Sequence, residues 1–237
     1  MGRISDILKT NMRIEVENTQ KQMTQKERDY WKQVKQDAPK QKVMSLDQVI
    51  QSFNHYSKEI ENFIIDDNNR NVIKLLQIYF AQDTSTMQHK FPQYSTNKGL
   101  LITGKCGTGK TLLFNIFKKV VQHNPVMAFS TTSSNRVVSE YDTNGSQSLS
   151  PYKTRKFFFD DFGSENKGKH YGKDEEVFTT ILEERYMKYQ DNGLKTHLTS
   201  NLTINQIKHR YGDRVHSRLF EMFNIIVLGG HDRRIIK

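Results

Sequence analysis

The stretch Gly104-Lys105-Cys106-Gly107-Thr108-Gly109-Lys110-Thr111 fits the pattern G-x-x-x-x-G-K-[ST] at every fixed position, and it constrains the fold more than any other part of the chain. Gly99-Leu100-Leu101-Ile102-Thr103 runs straight into it as a short apolar stretch and reads as a buried strand. After it, Leu112, Leu113, Ile116, Phe117, Val120 and Val121 recur at helical spacing until Asn124-Pro125. Strand, glycine loop and helix in that order are what a phosphate cradle requires. Glycines let consecutive backbone N–H groups turn toward an anion, and the helix N-terminus adds partial positive charge. In such a loop Lys110 reaches the outer phosphates and the Thr111 hydroxyl takes a place on Mg²⁺. The nucleotide-binding set expected is therefore Gly104, Lys105, Cys106, Gly107, Thr108, Gly109, Lys110, Thr111 and Leu112.

A chain of 237 residues is one domain, or one domain with a small appendage. Its 36 basic and 26 acidic residues leave a net charge of +10, which favours a polyanionic partner, nucleic acid before membrane. Cys106 is the only cysteine, so neither a disulfide framework nor a cysteine-based zinc site can form within the chain. No apolar run approaches membrane length, and Ile4, Ile7 and Leu8 are separated by polar residues. The expectation is a soluble, cytoplasmic protein without membrane contact.

Residues 1–44 are polar, and Met23, Tyr30, Trp31, Val34 and Ala38 are the only apolar material from Gln20 to Lys42. That is too little for a core, so a lone helix or partly ordered arm is expected, with Tyr30 and Trp31 as a candidate anchor for a partner. Ser45-Leu46-Asp47-Gln48 is a capping box ahead of Val49, Ile50, Phe53 and Tyr56. Asp66-Asp67 precede a second helix whose buried stripe is Val72, Leu75, Leu76, Tyr79 and Phe80, and 82–98 reads as a loop. Apolar density rises near residue 60, which divides the chain into a helical, partly ordered partner-binding extension, 1–60, and a nucleotide-binding domain, 61–237.

Further along, Val126–Ser130 reads as a strand and Asn135–Tyr141 as a short helix. Phe157-Phe158-Phe159 ends in Asp160-Asp161, an apolar strand that carries carboxylates to its C-terminal end. Asp160 is assigned to the metal with Thr111, and Asp161 to polarising the attacking water. Glu165–Lys173 is a Gly/Lys/His loop suited to a nucleic-acid backbone or to solvent. A helix with Val177, Phe178, Ile181, Leu182 and Tyr186 follows, then a strand, 195–201, with Asn201 at its tip. Thr203–Gln206 already supplies a capping box for the next helix, which frees Asn201 for the γ-phosphate or the attacking water. Arg214 and Arg218 lie four apart, on a face away from Val215, Leu219 and Met222. They are either an exposed pair, with Arg218 bridging Glu221, or cations offered to a neighbouring subunit. The last strand is Ile225–Leu228.

Taken together these stretches resemble the AAA+ ATPases, and within them the helicase loaders of the DnaC/DnaI type and the related IstB transposition ATPases. Asn97-Lys98-Gly99-Leu100-Leu101 with the glycine loop, Phe159-Asp160-Asp161-Phe162-Gly163, Thr199-Ser200-Asn201-Leu202 and Tyr211–Leu219 look like Walker A, Walker B, sensor 1 and the arginine-finger box. The likeness covers residues 60–237. It implies an α/β P-loop NTPase (AAA+) fold, a parallel sheet flanked by helices, without a helical lid after Leu228. ATP and Mg²⁺ are the implied cofactors, Asp161, Asn201, Arg218 and Arg214 the implied catalytic set, and Arg233 a sensor-2-like contact. Asp161 stands where the family usually has Glu, which bears on hydrolysis rate rather than on ATP binding. The implied partners are a replicative helicase, or a transposase, through residues 1–60, with single-stranded DNA or the DNA backbone, in an ATP-dependent homo-oligomer. A small-molecule kinase and a non-hydrolysing, nucleotide-gated DNA-binding module are the readings from other classes.

Overall fold

The computed structural model describes residues 44–61 and 63–235. The expected arm up to residue 43, with Tyr30 and Trp31, lies outside them. The chain divides into a unit up to Lys42 and a compact unit from Val43 onward. Helix α1, Leu46–Lys58, belongs to the second unit, whereas the sequence reading placed it in the extension. Its capping box forms as expected, with Ser45 and Gln48 bonded reciprocally, and it buries Val49 and Phe53 against the body.

Five strands, β1 (Gly99–Thr103), β2 (Ser130–Ser133), β3 (Phe157–Asp160), β6 (Thr196–Ser200) and β7 (Phe223–Val227), form one sheet. Every pairing in it is parallel, in the order β2-β3-β6-β1-β7. Parallel strands need crossovers, and the crossover helices cover both faces of the sheet. The pleat sorts the side chains. Leu100, Ile102 and Phe158 face a core shared with α1, α2 (Arg70–Phe80) and α4 (Lys110–Val121), whereas Leu101, Phe157, Phe159 and Leu198 face the other side. There they meet α5 (Ser134–Asn144), α7 (Val177–Asn192) and α8 (Ile204–Met222). Stacked Phe114 and Phe158, with centroids 4.1 Å apart, join α4 to the sheet. Each such buried ring contributes roughly 2–3 kcal/mol by area removed from water.

Local expectations are corrected at 126–129, 82–98 and 165–173. Residues 126–129 make a turn held by Asn124, whose Oδ1 accepts from the N–H groups of Val126 and Met127; the strand starts at Ser130. Within 82–98 lies a short helix, α3 (Thr84–Lys90), capped by Asp83. Residues 145–149 form a 3₁₀ turn leading into α6 (Ser150–Thr154). The Gly/Lys/His loop is an antiparallel hairpin, β4 (Gly168–His170) with β5 (Lys173–Glu175), and the following helix begins at Val177. Helix α8 is broken at Gly212, whose φ of 84° and ψ of 172° only glycine adopts readily. Among the described residues no helix follows β7, and none is long and apolar enough to cross a membrane.

Candidate nucleotide-binding site

Because β6 lies between β1 and β3, the C-terminal ends of three parallel strands open side by side, the edge at which α/β sheets hold ligands. From these ends come the glycine loop, Asp160-Asp161 and Asn201. Gly104, Gly107 and Gly109 all have positive φ, and Gly109 is the left-handed N-cap of α4. Among the described residues the N–H groups of Gly107, Thr108 and Gly109 donate to nothing, so three donors stand grouped at a helix N-terminus.

Lys110 is only 5% exposed. Its ammonium donates to Gly104 O, Lys105 O and Asn201 Oδ1 at 2.8, 2.8 and 2.7 Å. Asn201 in turn donates from Nδ2 to Asp161 Oδ1 at 3.2 Å, so one amide joins the lysine to the aspartate. Burial pulls the Lys110 ammonium below the usual lysine value, against the opposing pull of Asp161, Cys106 and Asp160. Burial, then the Asp160 charge, raises the Asp161 carboxyl, with Lys110 opposing. Asp160 accepts from Thr111 Oγ1 at 2.8 Å and from Thr199 Oγ1 at 2.5 Å. A hydroxyl and a carboxylate in direct contact at the start of α4 are the two hard oxygen ligands that Mg²⁺ takes beside phosphates, so the donor set fits that ion.

The turn after Asp161 is fixed from α8. Asp161 itself is left-handed, with φ 55°. Phe162 stacks on Tyr211 at 4.6 Å, and buried Glu165 accepts from Gly163 N and from the Tyr211 hydroxyl. Burial raises the Glu165 carboxyl. Arg210 donates to Gly163 O and Glu165 O and pairs with Glu176 at 3.2 Å.

The remaining expected residues sort differently. Lys105 and Cys106 lie within the loop and Leu112 just after it, and the latter two line a cleft of about 1170 Å³ together with Lys110 and Asp161. Arg214 and Arg218 do not line it. Both reach Glu183 of α7, at 3.1 and 3.2 Å, and Arg218 lies over the Tyr186 ring at 4.7 Å. Glu221, the expected partner of Arg218, accepts from Tyr186 instead. Arg233 is bound to Asp66 and Thr108 O rather than free to meet a phosphate. Sequence reasoning missed the far wall of the cleft, Phe63, Ile64, Asp66 and Asn68 before α2 and His231 and Arg234 after β7. Ile64 in that wall is an exposed apolar side chain.

Fold and loop together define a P-loop NTPase. A P-loop family model, the GvpD gas vesicle protein P-loop domain, matches residues 88–167. No curated protein matches the sequence. Solved structures similar to the chain include the following three. A protein assigned as a primosome component of Streptococcus pyogenes serotype M3 is 17% identical, with a TM-score of 0.52 over 76% of this chain and 89% of that one. The DnaC helicase loader is 16% identical, TM-score 0.50, over 75% and 98%. DnaI is 20% identical, TM-score 0.52, over 81% and 94%. The chain thus shares the fold of these structures.

Proposed function

We propose that the protein is a Mg²⁺-dependent AAA+ ATPase of DNA replication, cytoplasmic, acting on DNA as a replicative-helicase loader. The observation that carries the nucleotide reading is the bridge Lys110–Asn201–Asp161 beside the Thr111–Asp160 pair. Lys110 and the grouped N–H donors bind the phosphates, and Thr111 and Asp160 hold Mg²⁺, which supplies charge neutralisation on the phosphate oxygens. Asp161, whose carboxyl burial and the Asp160 charge raise above the ordinary aspartate value, is the stronger base for orienting and deprotonating water, and Asn201 fixes its direction. An aspartate reaches one methylene less far than glutamate, so turnover is slow. Phe63, Ile64 and Leu112 offer the apolar surface on which a base packs.

The loader reading is supported by similarity of fold to the DnaC and DnaI structures, the DNA reading by the net charge of +10 and the exposed β4–β5 hairpin. The helicase partner is assigned to the N-terminal extension. Transposase assistance of the IstB kind uses the same site, and recovery of a transposase rather than a helicase from the native host identifies it.

Lys110→Ala is expected to abolish tight binding of labelled ATP, because it removes the buried cation that neutralises the outer phosphates. Steady-state turnover of the wild type, measured with and without single-stranded DNA, separates a DNA-linked ATPase from a gated binding module. Wild-type affinity in the Lys110→Ala variant refutes the site.

A further inference from the structure

Asp160, Asp161 and Glu165 follow one another at the end of β3, and the proposed reaction uses only the first two. Glu165 does not line the cleft, and it is 2% exposed. A carboxylate taken out of water is costly unless its oxygens are bonded. Here both are bonded, and they join two elements. Oε2 accepts from the N–H of Gly163 at 2.8 Å. Oε1 accepts from the Tyr211 hydroxyl, with Arg210 Nη2 at 3.5 Å. Arg210 closes the clasp by donating to the carbonyls of Gly163 and Glu165.

The residue that this clasp constrains is Asp161. Its φ of 55° is a conformation that a residue with a Cβ adopts only where its surroundings impose it. Strand β6 fixes the entry to the turn: the N–H of Asp161 donates to Thr199 Oγ1 at 3.0 Å, and that of Phe162 to Thr199 O at 2.8 Å. Ser200 Oγ donates to Phe162 O at 2.6 Å. Beyond Phe162, apart from an exposed contact between Ser164 and Asn135, the ties come from α8 through Glu165 and Arg210. Without them the exit of the turn is free, and Asp161 can relax to an ordinary backbone conformation. Its carboxylate then swings away from Asn201.

Resting on the ATPase reading, we propose that Glu165 is the positioning residue for Asp161: clasped to Tyr211 and Arg210, it locks the turn that aims the Asp161 carboxylate at the attacking water. Glu165 touches neither nucleotide nor water and acts through Asp161 alone. The clasp sits on the part of α8 before the break at Gly212, whereas Arg214 and Arg218 sit after it. Loosening it therefore changes Asp161 and leaves Arg218 braced by Glu183 and Tyr186.

Single-turnover and steady-state hydrolysis of ATP by full-length wild type, Glu165→Gln and Tyr211→Phe tests this, with affinity for a non-hydrolysable ATP analogue measured on each. Glu165→Gln keeps the size of the side chain but can accept only one of its two hydrogen bonds, and Tyr211→Phe keeps the ring stacked on Phe162. Each is expected to lower kcat about tenfold, the scale of one lost hydrogen bond to a charged group, with KM and analogue affinity within about twofold of wild type. Adding Glu165→Gln to Asp161→Ala is expected to slow hydrolysis no further, because the carboxylate it aims is already gone. Unchanged kcat in both single variants overturns the proposal. So does a loss that multiplies with that of Asp161→Ala, or a fall in analogue affinity as large as the fall in kcat. If Glu165→Gln does not fold, Tyr211→Phe decides by the same outcomes. Wild type that binds the analogue without hydrolysing ATP overturns the ATPase reading, and the role of Glu165 with it.

Discussion

His197 lies in the middle of β6, paired with Leu100 on one side and Phe158 on the other. The rings of Tyr79, Phe80, Phe114 and Phe129 surround it at 5.2–5.9 Å, and its Nδ1 has no hydrogen-bond partner among the described residues. Burial, reinforced by the charges of Lys195, Arg185 and Lys156, pushes its pKa down to about 3. The unfolded chain, with an ordinary histidine, takes a proton near pH 6.5, and the folded chain does not. Stability contributed by this group is therefore lost as pH falls below about 6.5, and the loss ends near the folded value. At pH 5 it amounts to about 2 kcal/mol. His197→Leu, which fits the aromatic surroundings, is expected to shrink the difference in urea midpoint between pH 7.5 and pH 5. The same acid shift in variant and wild type refutes the assignment. Nearby Arg185, fully buried without a carboxylate, is satisfied by the carbonyls of Tyr152, Arg155 and Lys195 and by the Thr196 hydroxyl. Burial draws its pKa down to about 9.

The β4–β5 hairpin turns through Tyr171-Gly172, with φ values of 49° and 76°, both in the left-handed region of a two-residue hairpin turn. Tyrosine there costs roughly 1–2 kcal/mol, yet its ring is 94% exposed and gains no core contact. A strained, exposed aromatic beside Lys169 fits base stacking on single strands. Tyr171→Ala is expected to weaken oligothymidylate binding roughly tenfold by fluorescence anisotropy without changing the salt slope, because no phosphate contact is lost. Unchanged affinity removes the hairpin from the proposed DNA surface. This element was only half legible in the sequence. The glycines and lysines of 165–173 marked a loop, but which residues pair across a turn depends on register. The capping boxes at Ser45 and Thr203, the apolar strands β1 and β3, and the convergence of Lys110, Asp160, Asp161 and Asn201 could all be read, since periodicity and motif spacing encode them locally. Strand β2, Ser-Thr-Thr-Ser, could not, because its place is set by pairing with β3 and not by apolar content. Nor could the cleft wall formed by 63–68 and 231–234, where Arg233 alone was expected, through the resemblance; only tertiary contacts bring these residues to the loop.

At the scale of the whole molecule, Arg218 stands apart from its own cleft, braced by Glu183 and Tyr186. If it serves a neighbour's γ-phosphate, Arg218→Ala binds ATP but hydrolyses it about 10³-fold more slowly. Asp161→Ala is expected to behave alike, for want of the water-orienting carboxylate. Mixing the two inactive variants restores some turnover, because some junctions then join an intact Asp161 to an intact Arg218. No recovery in co-assembled mixtures reduces Arg218 to a strut between α7 and α8. The order of the strands has a consequence for how the molecule is made. The phosphate loop follows β1, and Asp160 ends β3 with Asp161 just after it, but these strands do not touch; β6, drawn from residues 196–200, fills the gap. A nascent chain that has emerged from the ribosome as far as Asp161 holds both halves of the site without the strand that sets their separation. On the proposed reading, a product truncated before β6 is expected not to retain labelled ATP.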